Sequence, residues 1–129
     1  MNALVLFGRL VLGGFFLYSG VNHFLGFAMM TQYAKMKGVP FPAFAQGLTG
    51  VMLLLGGLSV VLGIYPVVGV VLMIAFLLPV SLMMHNFWKV EDPQLRMNDK
   101  INFLKNIALL GAILMLLALP SPWPLSLLP

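Results

Sequence analysis

The sequence contains no cysteine and few charged residues, and both features narrow the range of functions that the protein can have. Without cysteine the chain has no disulfide, no thiolate zinc or iron–sulfur site and no thiol nucleophile. Only 8% of its 129 residues are charged, whereas 61% are hydrophobic. Because an average soluble domain is about 25% charged, this chain needs lipid as its outer solvent. The basic residues form no dense stripe, which argues against nucleic-acid binding.

Carboxylates are scarce, and none lies in the interior of an apolar run. Glu91, Asp92 and Asp99 all lie in or beside one polar segment. This distribution argues against a proton pump based on carboxylates, and we predict no metal site. The N-terminus has no basic region before its apolar run, and Arg9 interrupts that run. We therefore expect a retained helix there and not a cleaved signal peptide.

Long apolar runs predict an all-α membrane protein that forms a single transmembrane domain over residues 1–129. A span needs about 20 residues, and the expected four-helix transmembrane bundle has spans at about 3–24, 43–63, 67–84 and 99–119. Residues 27–37 are too short to cross, which predicts a short interfacial helix between the first two spans. Asn98 or Asp99 is the expected N-cap of the fourth span. Pro79 is expected to kink the third.

Basic residues are distributed unevenly between the two ends of the predicted bundle. Four spans place both termini on one side, where Arg9 is the one basic side chain. The opposite side carries six: Lys35, Lys37, Lys89, Arg96, Lys100 and Lys105. The positive-inside rule then places the polar loops in the cytoplasm and both termini outside.

Polar side chains concentrate where three of the predicted spans meet the loop side. The chain directions bring these groups to one depth, so we expect a shared ligand-binding pocket formed by Asn22, His23, His85, Asn86, Trp88, Asn102, Lys105 and Asn106. Imidazole, ammonium and amide groups without a carboxylate suit a carbonyl-bearing or anionic ligand, such as a quinone or a lipid head group. The alternative is that these residues only anchor helix ends at the interface.

Two further interpretations concern the histidines and Arg9. His23 and His85, on different helices, could ligate a haem, but no additional motif accompanies them, and we do not predict haem. Arg9 lies about one and a half turns into the first span. Its side chain either extends to the interface or points inward to hold an anion, the carboxyl end of a helix, or a partner.

Six short motifs follow one another along nearly the whole chain, at residues 8–13, 16–20, 37–40, 54–58, 85–88 and 102–111. The most specific is Asn102-Phe103-Leu104-Lys105-Asn106, which comes soon after Phe87-Trp88. In this order the motifs resemble those of the DoxX family.

The resemblance implies a four-helix bundle, usually in the bacterial inner membrane, which makes the outer side periplasmic. It also implies a link to membrane redox complexes, because the family is similar to subunits of thiosulfate:quinone oxidoreductase. Many members carry a glutamate in the second span, where this chain has Leu53. We therefore do not expect the chain to be catalytic alone.

These observations support one leading hypothesis and two alternatives. The leading hypothesis is an accessory component of a membrane redox system that binds a quinone-like or lipidic ligand. The first alternative is an assembly subunit that docks a cytoplasmic partner through residues 85–100. The second is a small-molecule transporter, which needs a polar path across the bundle. Glycine-rich faces left uncovered by the bundle would favour a homo-oligomer.

Overall fold

The computed structural model describes residues 1–127, and within this range it contains helices and turns but no strand. The elements are α1 (Asn2–Leu25), α2 (Phe27–Met36), α3 (Pro42–Leu62), α4 (Pro66–Met83), a 3₁₀ turn (Phe87–Lys89) and α5 (Pro93–Leu116). The all-α prediction is confirmed. Three segments are long and apolar enough to cross a membrane, and they are Asn2–Leu25, Pro42–Leu62 and Pro66–Lys89.

Helix α5 begins earlier than predicted, and the expected N-cap at Asn98 or Asp99 is wrong. The cap is Asp92, whose carboxylate accepts a hydrogen bond of 3.0 Å from the backbone N–H of Leu95. Pro93 follows as the first helical residue, where its missing N–H costs nothing. An aspartate directly before a proline is therefore the stronger start signal. The earlier start brings Arg96 inside the helix, which also contains Asp99, Lys100 and Lys105.

Glycines allow α1 and α3 to pack backbone against backbone. A Cβ atom added to Gly57 would lie 2.9 Å from the carbonyl oxygen of Gly13 and 3.0 Å from the backbone nitrogen of Leu17. One added to Gly20 would lie 3.1 Å from the backbone nitrogen of Leu54. No hydrophobic effect drives helices together in lipid. Close backbone contact of this kind is therefore a main source of their cohesion.

The four long helices are arranged in the order α1, α3, α4 and α5, each packed against the next. Within the described residues, no Cα atom of α1 lies within 8 Å of one in α5. Helices α1 and α5 therefore have no close backbone contact, and we call the space between them the α1–α5 gap. The buried core is apolar and draws on all four helices, through Phe16, Leu53, Val60, Val70, Met73, Leu77 and Ile113.

Arg9 is buried, at 1% exposure, and holds the carboxyl end of α3. Its Nε donates to the carbonyl oxygen of Val60 at 3.0 Å, and its Nη2 donates to that of Val61 at 2.9 Å. Its Nη1 donates to the carbonyl oxygen of Pro124. Its guanidinium also lies 5.6 Å from the ring centroid of Trp123. Of the alternatives that the sequence left open, the structure places Arg9 on a helix carboxyl end.

The C-terminal tail returns to the end of the molecule where α1 begins. The backbone N–H of Leu127 donates to the carbonyl oxygen of Leu62 at 3.0 Å. Trp123 in this tail is 4% exposed and packs beneath Arg9. Both ends of the described chain therefore lie at one end of the bundle, and the two polar loops lie at the other.

Candidate functional site

A cavity of about 940 Å³ lies toward the loop end of the bundle and is lined by residues of all five α-helices. Known ligand cavities measure about 300–1,000 Å³, so this one can hold a sizeable ligand. Most of its wall is apolar, with Phe15 and Phe16 from α1, Met30 from α2, Met52 from α3 and Phe76 from α4. Helix α2 lines it on the loop side.

Five of the eight predicted site residues line this cavity, namely Asn22, His23, His85, Lys105 and Asn106. They come from the end of α1, the residues after α4 and the middle of α5. His23 and Asn106 are buried, while Lys105 lies at the exposed edge. The structure thus brings together polar groups that are far apart in the chain.

The structure places the other three predicted residues outside the cavity lining. Asn86 accepts a hydrogen bond of 3.2 Å from the Lys37 ammonium. Trp88 is 46% exposed and packs edge-on against Phe87 and Phe103. Asn102 donates to the backbone carbonyl of the preceding helical turn. For these residues, helix direction alone did not specify which way the side chain turns.

The imidazole of His23 is held in one orientation. Its Nδ1 lies 2.9 Å from the backbone carbonyl oxygen of Ser19, one helical turn earlier. A carbonyl oxygen only accepts, so Nδ1 carries the proton, and Nε2 of the neutral ring remains an acceptor. The ring also packs edge-on against Phe76, with centroids 5.8 Å apart.

Asp99 places a carboxylate behind the cavity lining, which itself contains no Asp or Glu side chain. This side chain is 5% exposed, and its Oδ2 lies 2.6 Å from the Lys37 Nζ. Its Oδ1 lies 3.4 Å from the His85 Nδ1. A carboxylate behind an imidazole orients the ring, so His85 can present Nε2 to the cavity. The sequence pattern indicates Asp99 as a helix cap, so it does not predict this contact with His85.

Lys37, Asp99, His85 and Asn86 form a cluster that joins three segments of the chain. Lys37 follows α2, His85 and Asn86 follow α4, and Asp99 belongs to α5. The Lys37 ammonium contacts both Asp99 and Asn86. We call this group the loop-end ion cluster. It fastens the α2 end of the cavity wall to α5.

Gln46 is a further polar residue of the cavity that the sequence reasoning missed. It is 7% exposed, and its Nε2 donates to the backbone carbonyl oxygen of His23 at 3.3 Å and contacts the Met30 sulfur at 3.5 Å. It is the single amide side chain within α3. An amide side chain in an apolar span is costly unless it has a role, and this signal could have identified Gln46.

Pro79 lies inside α4 and lines the same cavity. Helix α4 is continuous from Pro66 to Met83. Pro79 has no N–H, so the carbonyl oxygen of Ala75 has no donor one turn later. Both residues line the cavity. Within the part of the chain that the structure describes, no group of three or more His, Asp or Glu side chains could hold a metal ion.

The sequence profile of the DoxX family matches residues 4–86, which run from α1 to three residues beyond the end of α4. The chain is 32% identical over 124 residues to inner membrane protein YphA of Escherichia coli (strain K12). That alignment covers 96% of this chain and 87% of the relative. No solved structure matches the chain significantly.

Proposed function

Since the chain belongs to the DoxX family, we propose that it binds a quinone-like or lipidic ligand as an accessory component of a membrane redox system. The observation that carries this proposal is the cavity of about 940 Å³, with apolar walls and a small set of polar groups. Cavities of that composition bind ligands with an apolar body and a few polar atoms.

The polar groups of the cavity suit a ligand with carbonyl or hydroxyl oxygens. The Lys105 ammonium and the amides of Asn22 and Asn106 can donate to a carbonyl oxygen. The free Nε2 of His23 can accept from a hydroxyl, as in a reduced quinone. The aromatic walls would pack against the ring or chain.

An accessory role fits the position of Leu53. This side chain is fully buried in the core and is absent from the cavity lining. Where many DoxX members carry a glutamate, this chain therefore has an inert packing residue. Any electron or proton transfer would depend on groups supplied by a partner.

The membrane placement that we propose has four spans, with α5 as the fourth. The ten residues 107–116 at its end are apolar, and α5 ends near the terminal side of the bundle. The basic residues at the loop end then face the cytoplasm, and both termini face the periplasm.

The proposal is tested by binding of a short-chain ubiquinone to the purified protein in lipid nanodiscs. We expect saturable binding that weakens at least tenfold, equivalent to about 1.4 kcal/mol, in Lys105→Ala and His85→Ala. Lys100→Ala is the matched control, because Lys100 is on the same helix but does not line the cavity. Thermal melting of each variant checks its fold.

The pattern across variants decides the result. Weakening in Lys105→Ala and His85→Ala, with Lys100→Ala unchanged and all three folded, supports the cavity as the quinone site. Equal binding by every variant, or no saturable binding by the wild type, would contradict the proposal and favour the assembly alternative.

The assembly alternative draws on one observation, the exposed start of α5. Leu95 and Met97 are 58% and 60% exposed there, next to charged residues. A cytoplasmic partner that docks through residues 85–100 would cover them. The transporter alternative receives less support, since the core between the cavity and Arg9 is apolar in the described chain.

A further inference from the structure

Lys105 occupies an unusual position for a lysine in a membrane helix. Its Nζ lies 5.7 Å from the ring centroid of Phe15, which is eight residues before His23 on α1. At about 1.5 Å per residue, Phe15 is roughly 12 Å deeper in the bundle than His23. On the proposed four-span placement, the ammonium therefore lies below the membrane surface, where a charge needs a partner.

No charged partner for this ammonium exists among residues 1–127. Its one hydrogen bond is to the Asn102 side-chain oxygen, at 3.4 Å. The ion pairs of the described chain are Lys37 with Asp99 and His85 with Asp99, so the nearby carboxylate is already engaged. An ammonium at this depth is complementary to an anion supplied from outside the chain.

The α1–α5 gap gives such an anion a route from the bilayer. Lys105 is exposed on one side of the gap and Phe15 is 40% exposed on the other, and both also line the cavity. A molecule that moves sideways out of the lipid would pass Lys105 and reach apolar walls behind it. The Lys105 ammonium therefore lies at the entrance, and the apolar part of the cavity lies behind it.

We propose that the cavity takes a single-chain anionic amphiphile, which enters through the α1–α5 gap and pairs its head group with Lys105. This inference rests on the proposed binding of a lipidic ligand, and it adds the charge of the head group and the direction of entry. A carboxylate, phosphate or sulfonate head shares the required chemistry. The chain would extend between Phe15, Phe16 and Phe76.

The test compares two probes with the same chain, hexadecanesulfonate and hexadecanol, in nanodiscs of phosphatidylcholine. We expect the sulfonate to bind at least tenfold more tightly to the wild type. Lys105→Gln should abolish the preference for the sulfonate but still bind hexadecanol. Lys100→Gln should retain the preference. Lys100 is a suitable control because it lies outside the cavity lining and near Phe87.

The route is tested with single cysteines, which the absence of natural cysteine makes unambiguous. Phe15→Cys should react more slowly with a lipid-soluble maleimide when hexadecanesulfonate is bound. Tyr18→Cys should not change, because Tyr18 is 67% exposed on the same helix and does not line the cavity.

The outcomes distinguish a failure of this inference from a failure of the proposed lipidic site on which it rests. If neither probe binds, the proposed lipidic site fails. If both bind equally, that site stands and the anion preference is refuted. Displacement of the sulfonate by phosphatidylglycerol would overturn the single-chain assignment in favour of a bilayer phospholipid. Protection of Phe15→Cys that rises with protein concentration alone would show that a second copy covers the gap.

Discussion

Arg9 shows how one side chain joins two distant segments of the molecule. Its planar fork donates to carbonyl oxygens at the end of α3 and in the C-terminal tail. The last carbonyls of a helix have no helical donor, and in lipid no water replaces it. Arg9 therefore supplies hydrogen-bond donors to carbonyl oxygens at the end of α3 that have no donor within the helix.

Arg9→Lys should lower the free energy of unfolding by about 2 kcal/mol, because one ammonium cannot reproduce three diverging hydrogen bonds worth about 1 kcal/mol each. The measurement is unfolding by SDS in mixed micelles. Arg96→Lys is the matched control, since Arg96 is exposed at the start of α5. A loss of stability in Arg9→Lys no larger than in Arg96→Lys would refute this role.

At the scale of helices, close packing of α1 on α3 leads to a second prediction. Gly57→Ala should destabilise the protein by about 1–3 kcal/mol, the range for overpacking. The new methyl group would lie 2.9 Å from the Gly13 carbonyl oxygen, so a backbone must shift. Gly14→Ala has open space around its Cβ, and it should be neutral or slightly stabilising. Thermal melting in detergent compares the two, and equal melting temperatures would contradict the packing argument.

The loop-end ion cluster leads to a prediction for α2. Lys37→Met should raise hydrogen–deuterium exchange in peptides that cover Phe27–Met36 by about tenfold, which corresponds to losing about 1.4 kcal/mol of attachment. The Lys37–Asp99 pair is largely shielded from solvent and ties the end of α2 to α5, so its loss should loosen the cavity wall. Lys35→Met serves as the control because Lys35 is exposed. Unchanged exchange in Lys37→Met would mean that packing on α3 alone holds α2.

At the scale of the whole molecule, the positions of the termini lead to a prediction about topology. Single cysteines at Asn2 and Ser121 should react with a membrane-impermeant maleimide in intact spheroplasts, and one at Glu91 should react only after lysis. All three native residues are exposed. The reverse pattern would invert the proposed orientation. Labelling of Asn2 and Ser121 from opposite sides would exclude α5 as a span.

The sequence by itself determined the class of the protein and the approximate helices, because both depend on local composition and periodicity. Apolar runs located α1, α3 and α4 to within about a residue or two, the usual uncertainty of helix ends. Chain direction brought His23, His85 and Lys105 to one cavity. The local sequence indicated the wrong start for α5, because Asp92 and Asp99 are both residues that can cap a helix.

Only the tertiary structure decided which polar groups meet and which face lipid. Asp99 pairs with a lysine 62 positions away, and Arg9 binds carbonyls more than 50 positions away, so no local pattern encodes either contact. The α1–α5 gap is likewise a property of helix arrangement. Rotation of each helix about its axis depends on how its neighbours pack, and that packing, not hydropathy, leaves Lys105 at the entrance to the cavity.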